Sequence, residues 1–238
     1  MYAKTFFDGM KEAGQEQIVN LLRCAWAGSQ KYGALVWSGD IHSTFASLRN
    51  QVAAGLNMGL AGIPWWTTDI GGFFGGHVED ENFRELLIRW FEYGAFCPVM
   101  RLHGYRMPYQ PQYGTTGGAA CVSGAPNEIW SFGDQVYDIC RTYLDIRENL
   151  RPYTRELMKE AHEKGTPVMR PLFYDFPEDK KCWEVETQYM YGKDILVAPV
   201  LYAKENQMEV YLPEGEKWVN IWNLSLIHIS EPTRRSYI

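Results

Sequence analysis

Trp37-Ser-Gly-Asp40, Gly62-Ile-Pro-Trp-Trp-Thr-Thr-Asp-Ile-Gly-Gly-Phe73 and Arg101-Leu-His-Gly104 decide how this chain of 238 residues is read. They bring an acid, an aromatic shelf, a second acid and a histidine into one short span. Each follows a short apolar run. Polar and aromatic residues just past successive apolar runs are the pattern of a site built at the carboxyl ends of parallel strands.

Working outward, the β-prone runs are Ile18–Leu22, Ala34–Trp37 and Gly59–Trp66. Between and after them lie segments with helical spacing. Phe45–Leu56 places Leu48, Val52 and Leu56 on one face, and Asn82–Phe96 carries the stripe Phe83, Leu86, Leu87, Trp90 and Phe91. Residues 2–16 predict a leading helix with Phe6, Phe7 and Met10 together. Strands alternating with helices at this pitch predict βα units and a parallel sheet. Residues 104–127, with three prolines and five glycines, read as a loop beside the site. Ile129–Leu144 and Leu150–His162 read as further helices, and Pro167–Tyr174 as the last strand of the parallel series. From Asp194 the texture changes to β-rich alternation, which predicts the start of an all-β domain.

Composition narrows the function. Hydrophobic residues make up 46% and aromatic residues 15%, enough for a large core with aromatics to spare for stacking on apolar sugar faces. Net charge is −6 with Lys and Arg scattered, so a nucleic-acid partner is not expected. No apolar run approaches the roughly 18 residues that cross a bilayer, so no membrane association is expected. Lys4, Asp8, Lys11 and Glu12 interrupt any signal-peptide core. Cysteines 24, 97, 121, 140 and 182 are unpatterned, which points to thiols in a reducing, cytoplasmic compartment and to neither a disulfide frame nor a metal site.

Several residues stand out chemically. Asp40 follows Trp37, whose indole can wall a pocket and desolvate the carboxyl; Gly39 permits close backbone approach. On the bare tetrapeptide, Asp40 equally suits a cap for a helix starting near Ser43-Thr44-Phe45. Arg23 ends a strand, where a guanidinium can hold carboxylates in register or make a surface ion pair. Asp69 can accept bonds from hydroxyls or structure its own loop, and Gly71 and Gly72 let that loop turn. Trp65 and Trp66 suit core and pocket alike.

Together these motifs resemble glycoside hydrolase family 31, the α-glucosidases and α-xylosidases, from about residue 2 to residue 224. The resemblance implies the C-terminal half of a (β/α)8 TIM barrel over residues 1–192, then the start of an all-β sandwich domain at 193–224. It implies a retaining, exo-acting α-glycosidase that forms and hydrolyses a glycosyl-enzyme without a cofactor. Its partner is an α-linked oligosaccharide or glycoside; the oligomeric state is left open. By the same resemblance Asp40 is the general acid/base. Arg23 and His103 then lie near the −1 sugar; beside them Trp37 would wall the pocket, Phe73 is placed to pack against the ring, and Asp69 can accept from sugar hydroxyls or orient its neighbours.

Retention needs a second carboxyl roughly 5–5.5 Å from the first. In the family the nucleophile lies in a W-x-D-M-N-E-like motif after the fourth strand, and the acid follows the sixth. Two βα units of about 30 residues separate them by at least about 60 residues, and only 39 residues precede Asp40. Phe7-Asp8-Gly-Met-Lys-Glu12 faintly echoes the motif, with Lys11 where its Asn belongs. The expectation is a fragment without its nucleophile, inactive alone. Residues 225–238 look like translated sequencing-adapter read-through, although Leu226, Ile227 and Ile229 also alternate as a terminal strand would. The other readings are a non-catalytic carbohydrate-binding protein and an α-transglycosylase of the same family.

Overall fold

The computed structural model describes residues 1–223 together with 226–227 and 234–235. It opens with helix α1 (Tyr2–Glu12) and strand β1 (Asn20–Leu22), then β2 (Ala34–Trp37), helix α2 (Phe45–Leu60), β3 (Trp66–Thr67), β4 (Phe74–His77) and helix α3 (Glu81–Ala95). Strands β1, β2 and β3 form a parallel sheet in that order. A fourth segment at 99–101 lies alongside β3: Val99 N–H donates to the Trp66 carbonyl at 3.2 Å, and Ile70 N–H to the Arg101 carbonyl at 3.2 Å. The α/β alternation expected of the chain is therefore present.

Helix α2 starts where Thr44 accepts from the Ser47 N–H at 3.0 Å, so Thr44 and not Asp40 is the cap. Helix α3 is capped by Asp80 and buries Phe83, Leu86, Leu87, Trp90 and Phe91, the stripe its spacing predicts. These side chains pack with Leu48, Val52, Ile70 and Tyr93 into one core against the sheet. Burial of that apolar surface, at about 25 cal/mol per Å², is what holds the helices onto the strands. Strand β1 lies at the edge of its sheet, and Leu21 is exposed on it.

Three expectations are corrected. The run 59–66 is a strand only at Trp66–Thr67, because the helical period of α2 continues to Leu60 and its last turn packs on the chain near Met169. The stretch 104–127 contains β5 (Tyr105–Gln110) and β6 (Ser123–Ala125), paired antiparallel. Gly124 permits that pairing, since a Cβ there would stand 2.8 Å from the Arg106 nitrogen. Finally, β7 (Met169–Pro171) is not parallel: it pairs antiparallel with β8 (Tyr189–Tyr191), which pairs antiparallel with β9 (Ile195–Val197). The place in the parallel series belongs to 99–101 instead.

Helices α4 (Asp134–Asn149) and α5 (Arg151–Lys164) join the two regions, and the short α6 (Leu172–Asp175) follows β7. The β8–β9 hairpin spans residue 193, so the change of texture at Asp194 falls inside the antiparallel sheet. Strands β10 (Met208–Glu209) and β11 (Trp218–Val219) pair with β13 (Arg234–Arg235) and β12 (Leu226–Ile227) respectively. The rest of 225–238, set aside as read-through, lies outside the described residues. Among the described residues no helix is long and apolar enough to cross a membrane.

Candidate active site

The four aligned segments end side by side, and their ends carry the chemistry. Arg23 directly follows β1, Asp40 lies three residues past β2, Asp69 lies two past β3, Arg101 ends the 99–101 segment and His103 lies two residues beyond it. Gly39 bends the chain after β2 with φ of 78°, and its backbone sits against the Arg23 guanidinium.

Two ion pairs lie beside the Trp37 indole. Arg23 donates to Asp40 Oδ2, with the side chains 58% and 34% exposed. Arg101 donates to Asp69 Oδ1, with the side chains 24% and 0% exposed. The Arg23 and Arg101 guanidinium carbons lie 5.7 and 5.9 Å from the Trp37 ring. Trp37 thus lies within cation–π range of both guanidinium groups. Ser38 and Thr68 hydroxyls meet at 3.2 Å behind it.

Burial pushes the Asp69 carboxyl up to about 6; Arg101 opposes this, Asp40 adds to it, and Arg106 opposes it more weakly. Asp69 Oδ2 is buried and has no hydrogen-bond partner among the described residues. Asp69, expected to accept from hydroxyls or orient its neighbours, has no exposed surface and pairs with Arg101. Desolvation and the charges of Arg101 and Arg106 hold the His103 imidazole below its ordinary value, while Asp40 opposes them. The His103 ring lies 5.4 Å from that of Phe73, which stacks at 6.3 Å on Tyr105.

Of the six residues singled out in the sequence, Trp37 ends β2, Arg23, Asp40 and Asp69 follow strands, His103 follows the 99–101 segment, and Phe73 directly precedes β4. Trp66 is core, 4% exposed, whereas Trp65 is half-buried. Asp8, the lure in the nucleophile-like motif, pairs with Lys4 on the exposed face of α1. Two residues were missed. Arg101 opens the very Arg-Leu-His-Gly motif that drew attention to His103, so a signal existed. Arg106 is fully buried in what read as a loop, and no local pattern marks it. Among the described residues no cluster of three metal-ligating side chains occurs. Two large clefts, about 730 and 740 Å³, lie between α3, α4 and neighbouring segments, and neither is lined by these strand-end residues.

Comparison with known proteins gives the family. The profile of the glycosyl hydrolases family 31 TIM-barrel domain matches residues 1–157, and that of the family 31 C-terminal domain matches 165–235. An α-xylosidase of Saccharolobus solfataricus is 36% identical over 222 residues, covering 93% of this chain and 28% of that protein. An α-glucosidase of the same organism is 32% identical over 227 residues, covering 95% and 30%. The crystal structure of a family 31 α-xylosidase from a soil metagenome, complexed with xylose, superposes with TM-score 0.94 at 57% identity, covering 99% of this chain and 35% of that one. The chain spans less than a third of the length of these curated relatives. Its barrel-edge site and the β region that follows thus belong to one known architecture: the chain is a member of glycosyl hydrolase family 31.

Proposed function

We propose that this chain supplies the acid/base side of the active site of a retaining, exo-acting α-glycosidase, cleaving α-xylosides or α-glucosides. The observation that carries the reading is Asp40: a partly exposed carboxylate past a strand end, beside the Trp37 indole and held by Arg23. Family 31 members are glycoside hydrolases, and 57% identity to an α-xylosidase seen with xylose favours an α-xyloside.

In the first step Asp40 protonates the departing glycosidic oxygen while a second carboxylate attacks the anomeric carbon. The sugar is then bonded to that nucleophile and the aglycone has left. In the second step the Asp40 carboxylate takes a proton from the water that attacks the anomeric carbon, and the bond from that carbon to the nucleophile breaks to release the sugar. A sugar acceptor in place of that water gives transglycosylation. Neither Asp69, fully buried on Arg101, nor Asp8, on α1, suits the attacking role. The nucleophile is assigned to a segment outside these residues. His103 and Phe73 present a donor and a ring face to the −1 sugar, and Asp69 acts by orienting Arg101.

The test uses a family-length polypeptide carrying these residues. Asp40→Ala should slow hydrolysis of unactivated glycosides by about 10²–10⁴, the usual share of a general acid, and glycosyl fluorides much less. Azide should partly restore fluoride turnover and yield a β-glycosyl azide, since a small anion needs no base. Equal losses on both substrates with no azide effect would remove Asp40 from this role. Retained sugar binding without any turnover in the wild type would make the protein a carbohydrate-binding module.

A further inference from the structure

We propose that Arg106 is a positioning residue for this site, clamping in one register the segments that carry Asp69, Phe73 and His103. The inference rests on the glycosidase reading and names a residue that reading does not use. Arg106 lies on β5, is fully buried, and commits its whole guanidinium. Nε donates to Asn127 Oδ1 at 2.7 Å. Nη1 donates to the Gly72 carbonyl at 2.8 Å and the Ser43 hydroxyl at 3.4 Å. Nη2 donates to the Ile70 carbonyl at 2.9 Å and the His103 carbonyl at 3.3 Å.

These acceptors belong to the loop after Asp40, both sides of the Gly71 turn between Asp69 and Phe73, the backbone of His103, and the 126–128 segment. The cation also lies 4.9 Å from the Phe83 ring, which fixes its own depth in the core. Its environment is built around it. A Cβ on Gly104 would stand 2.4 Å from the guanidinium carbon, and one on Gly71 2.9 Å from Nη2.

No carboxylate touches this cation; every contact is neutral. Burying a charge without an ion partner is expensive unless its hydrogen bonds are complete. Desolvation accordingly lowers Arg106 to about 10. Such a group is a poor choice for simple stability, yet a planar fork is the side chain that can span acceptors on several segments at once. Lysine, a point charge, cannot. The charge also reaches the site by its field, holding Asp69 and His103 lower than burial alone would leave them.

The experiment measures kcat, KM, pH–rate profile and melting temperature for Arg106→Gln, Arg106→Lys and Asn127→Ala in a family-length polypeptide. Leu157→Ala, a buried core change in α5, serves as a purely structural control. Arg106→Gln should lower kcat about a hundredfold with KM little changed, the scale expected of a displacement near 1 Å. Its acidic limb should move to higher pH, because the lost cation no longer favours ionised Asp69. Arg106→Lys should keep the limb in place and still lower kcat. If Arg106→Gln fails to fold, Asn127→Ala decides: a several-fold drop in kcat at unchanged melting temperature supports the clamp, and wild-type kinetics overturns it. One arm needs no turnover. The His103 imidazole, followed by NMR, should titrate at higher pH in Arg106→Gln, or in Asn127→Ala if its fork is displaced. Wild-type kinetics and His103 titration, with a melting loss like that of Leu157→Ala, would reduce Arg106 to scaffold. Absence of glycosidase activity in the wild type would instead sink the functional reading and leave the His103 titration to judge the clamp.

Discussion

The pairs Arg23–Asp40 and Arg101–Asp69 have the same chemistry beside one tryptophan, and burial distinguishes them. Asp40 is a third exposed and can reach a substrate; Asp69 has no exposed surface and can reach only Arg101. Water screens the first pair, so it contributes little to stability, at most about 1 kcal/mol. In the second pair desolvation outweighs the nearby cation and lifts the carboxyl to about 6. Under the proposed function these two aspartates at neighbouring strand ends would do different work: one exchanging protons with a substrate, one held as a support that destabilises the fold when ionised.

The largest expected effect separates the two on activity. Asp40→Ala should be the most damaging change, by the 10²–10⁴ of a lost acid, yet leave the melting temperature nearly unmoved. Asp69→Asn keeps the shape but loses the anion that orients Arg101. It should lower kcat/KM about 10–100-fold, the scale of a charged hydrogen bond.

On stability the order reverses. The Asp69 carboxyl is raised in the folded state, so the native protein holds this proton up to about pH 6 while the unfolded chain releases it near 3.8. Its contribution therefore declines as pH rises through that window, by on the order of 3 kcal/mol. Near pH 4 wild type and Asp69→Asn should melt together; at pH 7 the variant should melt higher. Thermal melts at both values check this, and a variant less stable at pH 7 than at pH 4, relative to wild type, would contradict it. The smallest effect is expected for Trp37→Phe. Weakening two cation–π contacts worth about 0.5–1 kcal/mol each should lower kcat/KM only a few-fold, with both ion pairs kept. A loss as large as that of Asp40→Ala would mean that the indole does more than contact the two cations.

Helices α2 and α3 were legible because each buries one face of a regular period, and β1 and β2 because short apolar runs end at polar motifs. The proximity of the candidate residues Arg23, Asp40 and Asp69 was legible for the same reason: each follows a strand, so linear order predicts spatial adjacency. The segment at 99–101 was not, since Cys97-Pro98-Val99-Met100 is too short and follows a helix without a break. The antiparallel direction of β7 was not either; a run of three residues carries no mark of its neighbour's polarity. Strands β5 and β6 hid behind glycine and proline, because what decides their pairing is how closely Gly124 approaches Arg106. Arg106 itself escaped notice because most of its partners are backbone carbonyls from distant segments, which leave no trace in side-chain patterns.

The central claim is that Asp40 delivers the proton to the leaving oxygen. It is tested most directly by the dependence of kcat/KM on leaving-group acidity, measured with a series of aryl α-xylosides or α-glucosides on wild type and Asp40→Ala. Wild type, with a proton at hand, should show a shallow dependence. In Asp40→Ala the leaving oxygen must depart as an anion, so kcat/KM should fall steeply as the phenol becomes less acidic, and the two lines should converge at the most acidic phenols. Parallel lines of equal slope, displaced by a constant factor, would contradict the assignment and make Asp40 a binding residue.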